Sequence, residues 1–212
     1  MGQRPGSRRP LSRRRLLGID RSGPEPAATR AGQPLRPFTL PNLIGYVRLA
    51  GIPVFLVIAF NSGDGRDPVA ALIFVAIALG DLLDGFVARA TGQYSRMGAL
   101  LDPLVDRLTI LAGAVVCWHF ELLPRWALAA LAAREVLTLA LAELGLRRGV
   151  DLEITWVGRI AVFLIMGGIF WAQILDWRII DVGFSLGVLI SVVATLLYAR
   201  AARGRIPTRG EA

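Results

Sequence analysis

From Thr39 onward the chain alternates runs of Leu, Ile, Val, Ala and Phe with short polar connections. The apolar runs fall at about residues 49–60, 69–90, 98–120, 126–146, 156–177 and 183–200. With their flanks they approach the ~20 residues that a helix needs to cross the hydrocarbon of a bilayer. The pattern predicts an all-α integral membrane protein with six transmembrane helices and a short N-terminal juxtamembrane helix. Thr39 or Asn42 can cap the first helical segment, with Pro41 close to its start. Pro53 predicts a kink or a break between a surface helix and the first span. The connection NSGDGRDP, residues 61–68, is rich in turn formers and slightly acidic.

Residues 81–107, DLLDGFVARATGQYSRMGALLDPLVDR, interrupt this pattern with four aspartates, Asp81, Asp84, Asp102 and Asp106. One carboxylate near a bilayer centre costs about 2.5 to 3.5 kcal/mol, so four left unpaired would cost about 10 to 14 kcal/mol. A folded protein has only about 5 to 15 kcal/mol of stability in total. Cations, or water in a cleft near one membrane surface, must therefore compensate them. At about 100° per residue, Asp81, Asp84, Gly85, Ala88 and Arg89 share one sector of a helix. Gly98, Asp102 and Asp106 recur every fourth residue and form a matching stripe on the next helix. The short connection 90–97 makes the two helices antiparallel neighbours, so the stripes can converge. Carboxylates are hard ligands suited to Mg²⁺, Mn²⁺ or Ca²⁺, and no Cys or His cluster offers a softer site. Two divalent ions would neutralise four aspartates and would also bind phosphates. Gly85 and Ala88 leave a flat surface for a bulky ligand, and Arg89 can pair with a phosphate. A cation transporter using the same aspartates is the competing reading, and it predicts acidic residues spread through membrane depth rather than gathered at one end of two helices.

The charge pattern adds an orientation. The 212 residues are 54% hydrophobic with a mean hydropathy of +0.55, while 24 basic residues against 16 acidic ones give a net charge of +8. Such a balance can indicate nucleic acid binding, but the arginines crowd the two tails and alternate connections, as the positive-inside rule requires. No nucleic-acid partner is expected. Six spans with both termini and the aspartate cluster on the cytoplasmic side of the cell membrane satisfy that pattern. Residues 1–37 read as a disordered Arg/Pro-rich cytoplasmic tail, 38–203 as the helical domain and 204–212 as a short cytoplasmic tail. The run SRRRLLG at residues 12–18 lacks the apolar stretch that would make it an export signal. Trp118 and His119 read as an interfacial anchor, Cys117 as a small buried side chain, and Gly167, Gly168, Gly183 and Gly187 as small surfaces for helix packing. Arg134, Glu135 and Glu143 lie on otherwise apolar faces and should point into the bundle.

The spacing Asp, two residues, Asp-Gly, two residues, Ala-Arg, eight residues, Gly, three residues, Asp, three residues, Asp resembles the signature of the CDP-alcohol phosphatidyltransferases, and all eight of its fixed positions are filled. The segment PNLIGYVRLAGIP resembles the opening helix of the phosphatidylglycerolphosphate and cardiolipin synthase branch, and Arg134-Glu135 resembles a pair in that branch. The resemblance implies transfer of a phosphatidyl group from CDP-diacylglycerol to an alcohol, with release of CMP. It implies two divalent cations, Mg²⁺ or Mn²⁺, held by Asp81, Asp84, Asp102 and Asp106, with Asp106 as general base. It also implies a CDP site formed by Asp81, Asp84, Gly85, Ala88, Arg89 and Gly98, and a homodimer through the later helices. Glycerol 3-phosphate is the first expectation for the acceptor and phosphatidylglycerol the second, with Arg48, Arg134 and Arg159 as candidates for an acceptor phosphate. Related synthases carry a Gly-Lys element entering the fifth helix, where this chain reads Gly158-Arg159-Ile160-Ala161.

Overall fold

The computed structural model describes residues 34–148 and 156–204, without the side chains of 140–148, 156–157, 198–199 and 201–204. Six helices account for most of the described residues: α1 (Leu40–Asn61), α2 (Pro68–Thr91), α3 (Arg96–His119), α4 (Arg125–Arg148), α5 (Trp156–Ala172) and α6 (Arg178–Gly204). Three segments, Leu40–Asn61, Pro68–Thr91 and Arg178–Leu197, are long and apolar enough to cross a membrane, and Gly158–Ala172 is a shorter apolar helix. This is a membrane protein with several candidate spans. The bodies of α3 and α4 are less apolar because Asp102, Asp106 and Arg107, and then Arg134 and Glu135, interrupt them. The expected tails at 1–37 and 204–212 lie outside the described residues save for 34–37 and Gly204, as do the connection 149–155 and the Glu143 side chain.

The juxtamembrane helix expected before Pro53 is not a separate element among the described residues. Its residues are the opening turns of α1, which runs through Pro53 without interruption. Proline removes one backbone donor, but in hydrocarbon a full break would orphan several polar groups, so continuity is the cheaper arrangement. Thr39 is the cap, its Oγ1 accepting the Asn42 N–H at 3.4 Å.

The chain divides into two compact units, one comprising the described residues up to Ala50 with Leu79–Asp106, the other Gly51–Ala78 with the residues from Arg107 onward. In the first unit, α1 meets its two neighbours at glycines. A Cβ on Gly45 would lie 2.6 Å from Leu101 of α3, and one on Gly80 would lie 2.6 Å from the Arg48 stem. Polar ties hold the entry to α1 against the α2–α3 connection: Met97 N–H donates to the Leu35 carbonyl at 3.1 Å, and Leu40 N–H to Gln93 Oε1 at 3.1 Å.

In the second unit, Phe55 and Phe74 stack with ring centroids 5.5 Å apart, and Gly113 admits Phe74 and Ile169. Gly168 packs on Phe184 and Gly187 on Leu164, which brings α5 and α6 together, while α4 also packs on α6. Gly167 and Gly183 have no such neighbour within 4 Å. Thus two of the four glycines singled out by the sequence serve packing within the chain. Cys117 is buried, as expected. Of the two anchor residues, Trp118 is exposed beneath the Arg125 guanidinium and His119 meets Phe60 and Phe120 edge-on. Arg66, in the α1–α2 connection, reaches Asp176 at 3.0 Å.

The two kinds of glycine should respond differently to a methyl group. A Cβ on Gly187 would sit 3.2 Å from two backbone atoms, Ala161 O and Ile165 N, which cannot rotate away. Gly187→Ala is expected to cost about 1 to 3 kcal/mol through overpacking. Gly183→Ala should be neutral or stabilising by up to about 1 kcal/mol, since alanine is the better helix former. Reversible unfolding in detergent micelles measures both.

Candidate active site

The chemistry-bearing side chains of the first unit come from three helices. α2 supplies Asp81, Asp84, Gly85, Ala88 and Arg89, and α3 supplies Gly98, Asp102 and Asp106. Each stripe needs only helical periodicity to form, because separations of three and four residues return to one face. What joins the stripes is a side chain from α1. Arg48 Nη1 donates to Asp84 Oδ2 at 2.8 Å and Nη2 donates to Asp106 Oδ1 at 2.5 Å, while Asp81 Oδ1 stands 3.8 Å from Nη1. Arg48 and Asp84 are 3% exposed, whereas Asp81 and Asp106 are 42% and 41% exposed, so the cluster has a buried floor and an open rim. Asp102, one turn before Asp106, is half-buried.

The planar guanidinium suits this role, since its fork can reach carboxylates on two helices at once. Arg48, expected among the candidates for an acceptor phosphate, engages these aspartates in the structure. The four carboxylates are chemically suited to hard divalent cations. In the observed arrangement three of them surround an organic cation, and among the described residues no group of three acidic, His or Cys side chains is drawn together closely enough to hold a metal ion. The donor chemistry fits a divalent ion, and the packing is that of a guanidinium-centred cluster.

The small residues of the signature have visible neighbours. A Cβ on Gly98 would come within 2.8 Å of Asn42 Oδ1 and 3.3 Å of Ser95 Oγ. That space is filled by a relay in which Gly98 N–H donates to Ser95 Oγ at 3.0 Å and Ser95 Oγ donates to Asn42 Oδ1 at 2.9 Å. Asn42 Nδ2 in turn donates to the carbonyls of Arg36 and Pro37, each at 3.0 Å. Asn42 and Ser95, both buried, thus position the start of α3 against the start of α1. Sequence reasoning treated Asn42 only as a possible cap and passed over Ser95. A Cβ on Gly85 would lie 3.1 Å from Arg89 Nη1, so the arginine folds back over the glycine one turn before it.

A second polar group lies in the other unit. Glu135, 5% exposed, pairs with Arg134, and Arg107 Nη1 stands 4.0 Å from its other oxygen. The Arg134-Glu135 ion pair is real, with both residues directed away from the open surface as expected. Arg107, which sequence reasoning did not single out, makes it a triad. One carboxylate serves two guanidiniums, and Arg107 Nη1 and Arg134 Nε are buried without a hydrogen-bond partner among the described residues. Its position next to Asp106 was the available signal. Arg159 is exposed on α5.

Comparison with known proteins identifies the family. Residues 38–198 match the family described as CDP-alcohol phosphatidyltransferase. A Streptomyces coelicolor protein named cardiolipin synthase (CMP-forming) is 36% identical over 135 residues, covering 62% of this chain and 63% of that protein. A Salmonella typhimurium CDP-diacylglycerol–glycerol-3-phosphate 3-phosphatidyltransferase is 33% identical over 183 residues, covering 79% of this chain and 96% of that protein. A Bacillus subtilis protein of the same name is 32% identical over 151 residues, or 65% and 74% of the two chains. The match thus spans less than two thirds of the Streptomyces protein but nearly all of the Salmonella one. Covered by the family match over most of its length, this chain belongs to the CDP-alcohol phosphatidyltransferase family.

Proposed function

We propose that this protein transfers the phosphatidyl group of CDP-diacylglycerol to the hydroxyl of glycerol 3-phosphate, releasing CMP and forming phosphatidylglycerolphosphate. The observation that carries the reading is the convergence of three signature carboxylates, Asp81, Asp84 and Asp106, on one buried point in a membrane protein of this family. The substrate explains the setting. Its acyl chains need the bilayer, its diphosphate needs cations, and its nucleotide needs an aqueous opening such as the exposed rim formed by Asp81 and Asp106. The proposed topology is six spans with the site and both termini cytoplasmic, supported by the arginine distribution. A homodimer through the later helices is part of the same reading, with Gly167 and Gly183 offering surfaces for it.

Asp81, Asp84, Asp102 and Asp106 would hold two divalent cations, Mg²⁺ or Mn²⁺. When bound, these supply neutralisation of the diphosphate and of the growing charge on the leaving CMP. Asp106 has the exposure needed to meet an acceptor, and it takes the proton of the attacking hydroxyl. The acceptor oxygen then bonds to the lipid-side phosphorus as the phosphorus–oxygen bond to CMP breaks. Gly85 and Ala88 would leave room for the cytidine once Arg89, which lies over Gly85, turns to meet a phosphate, and Gly98 keeps α3 in register through Ser95 and Asn42. Candidates for the acceptor's own phosphate are Arg134 and Arg159, with Arg107 beside Glu135 added to them. Two guanidiniums share the single Glu135 carboxylate, which leaves positive charge on this group.

The second reading is cardiolipin synthesis with phosphatidylglycerol as acceptor. It is favoured by the similarity to the Streptomyces protein and by the Gly158-Arg159-Ile160-Ala161 sequence.

Purified protein supplied with CDP-diacylglycerol, Mg²⁺ and one acceptor at a time should release CMP with glycerol 3-phosphate. Release with phosphatidylglycerol alone would transfer the assignment to cardiolipin synthesis. Asp106→Asn is expected to lower kcat by about 10²- to 10⁴-fold, the usual worth of a positioned general base, and also to lower the unfolding temperature, because Arg48 loses one of its charged partners; rates are therefore compared at a temperature where both proteins stay folded. Arg107→Gln or Arg134→Gln should raise KM for glycerol 3-phosphate about tenfold or more, from loss of a charged hydrogen bond. KM for CDP-diacylglycerol should move little, and initial rates with each substrate varied in turn separate the two.

A further inference from the structure

Arg48 lies outside the family signature, yet it occupies the centre of the carboxylate cluster. Its guanidinium is 3% exposed and engages Asp84 Oδ2 at 2.8 Å and Asp106 Oδ1 at 2.5 Å, with Asp81 at 3.8 Å. One positive charge against three negative ones leaves the group anionic, so Arg48 holds the carboxylates together without quenching their attraction for further cations. The path to the cluster is shaped for this side chain. A Cβ on Gly80 would lie 2.6 Å from Arg48 Cδ, 2.7 Å from Cγ and 3.0 Å from Nε. Any other residue at 80 would displace the arginine stem. Gly80 is thus a space-making residue for Arg48, in a helix where glycine is otherwise unfavourable.

We propose that Arg48 is the resident counter-ion of this cluster, and that its guanidinium and divalent cations compete for Asp84 and Asp106, so that Arg48 sets how tightly the site takes metal. The inference rests on the reading of these aspartates as metal-binding residues given above. Its logic is electrostatic. The carboxylate oxygens that Arg48 contacts are the hard donors that a divalent ion would use, and the two cations repel each other at the same oxygens in a buried setting, where screening is weak. Removing the guanidinium therefore has two opposite effects. It destabilises the fold when no divalent ion is present, because the buried Asp84 and the Asp106 beside it lose their partner, and it raises affinity for a divalent ion, because the competitor is gone. A purely structural ion pair would give only the first effect.

Full-length protein in lipid nanodiscs, parent and Arg48→Gln, is titrated with Mn²⁺ by electron paramagnetic resonance and melted in EDTA and in excess Mg²⁺. Arg48→Gln should bind Mn²⁺ about tenfold more tightly, melt earlier than the parent in EDTA, and show the larger rise in melting temperature on adding Mg²⁺. Gly80→Ala, which crowds the stem but keeps the charge, should shift affinity in the same direction by about two- to threefold and serves if Arg48→Gln does not fold. Unchanged or weaker Mn²⁺ affinity in the folded variants overturns the competition. If the parent and both variants bind no Mn²⁺, the metal reading itself falls, and the inference with it.

Discussion

A carboxylate buried in a medium without water must find positive charge, and the first unit is arranged around that demand. Asp84 has almost no access to solvent, and Asp81 and Asp106 stand over it at the rim. A guanidinium delivered from a third helix meets them. The pairing is better understood as a constraint than as a source of stability. Buried ion pairs roughly cancel their own desolvation, but losing one partner leaves an uncompensated charge that costs several kcal/mol. The helices that bear these groups are therefore held in the register that keeps the pairs intact, and their small residues follow from it. Gly80 admits the Arg48 stem, Gly45 lets α1 lie close to α3, and Gly98 leaves space for the Asn42 and Ser95 relay.

The same arrangement gives the site its chemical character. In the proposed reading, an anionic cluster with a buried cationic floor and an open rim would draw in cations and, through them, a diphosphate, while the rim would leave an aspartate accessible to a hydroxyl. The second unit solves its own charge problem with the opposite sign. There two arginines share Glu135, and the surplus is positive. The first unit thus carries a negatively charged cluster and the second a positively charged one. Both are built from residues that would be costly in a bilayer without such partners.

The remainder of the second unit is ordinary helix packing, and it shows how small residues are put to different uses. Gly168 and Gly187 bring α5 and α6 together with backbone atoms nearly in contact, and Gly113 accepts an aromatic ring and an isoleucine. Within hydrocarbon such packing supplies the association energy that water would otherwise drive. Pro53 is carried inside α1 for a related reason, since interrupting the helix would expose more polar backbone than the proline itself removes.

The amino-acid pattern by itself determined the all-helical class, the positions of the helices to within a few residues, and the two aspartate stripes, because all of these follow from the local period of the helix. The signature spacing of Asp81, Asp84, Asp102 and Asp106 also carried the family. Only the tertiary structure decided which cation stands among the aspartates: Arg48 is 36 residues from Asp84 and 58 from Asp106 along the chain. It likewise decided that Asn42 is a tie rather than a cap, that Gly80 and Gly98 make room for particular side chains, and that Arg107 completes a triad with Arg134 and Glu135. Periodicity tells which face a side chain occupies, whereas its partner depends on the crossing and register of separate helices. Those are set by close packing, which leaves no repeat to read in the chain.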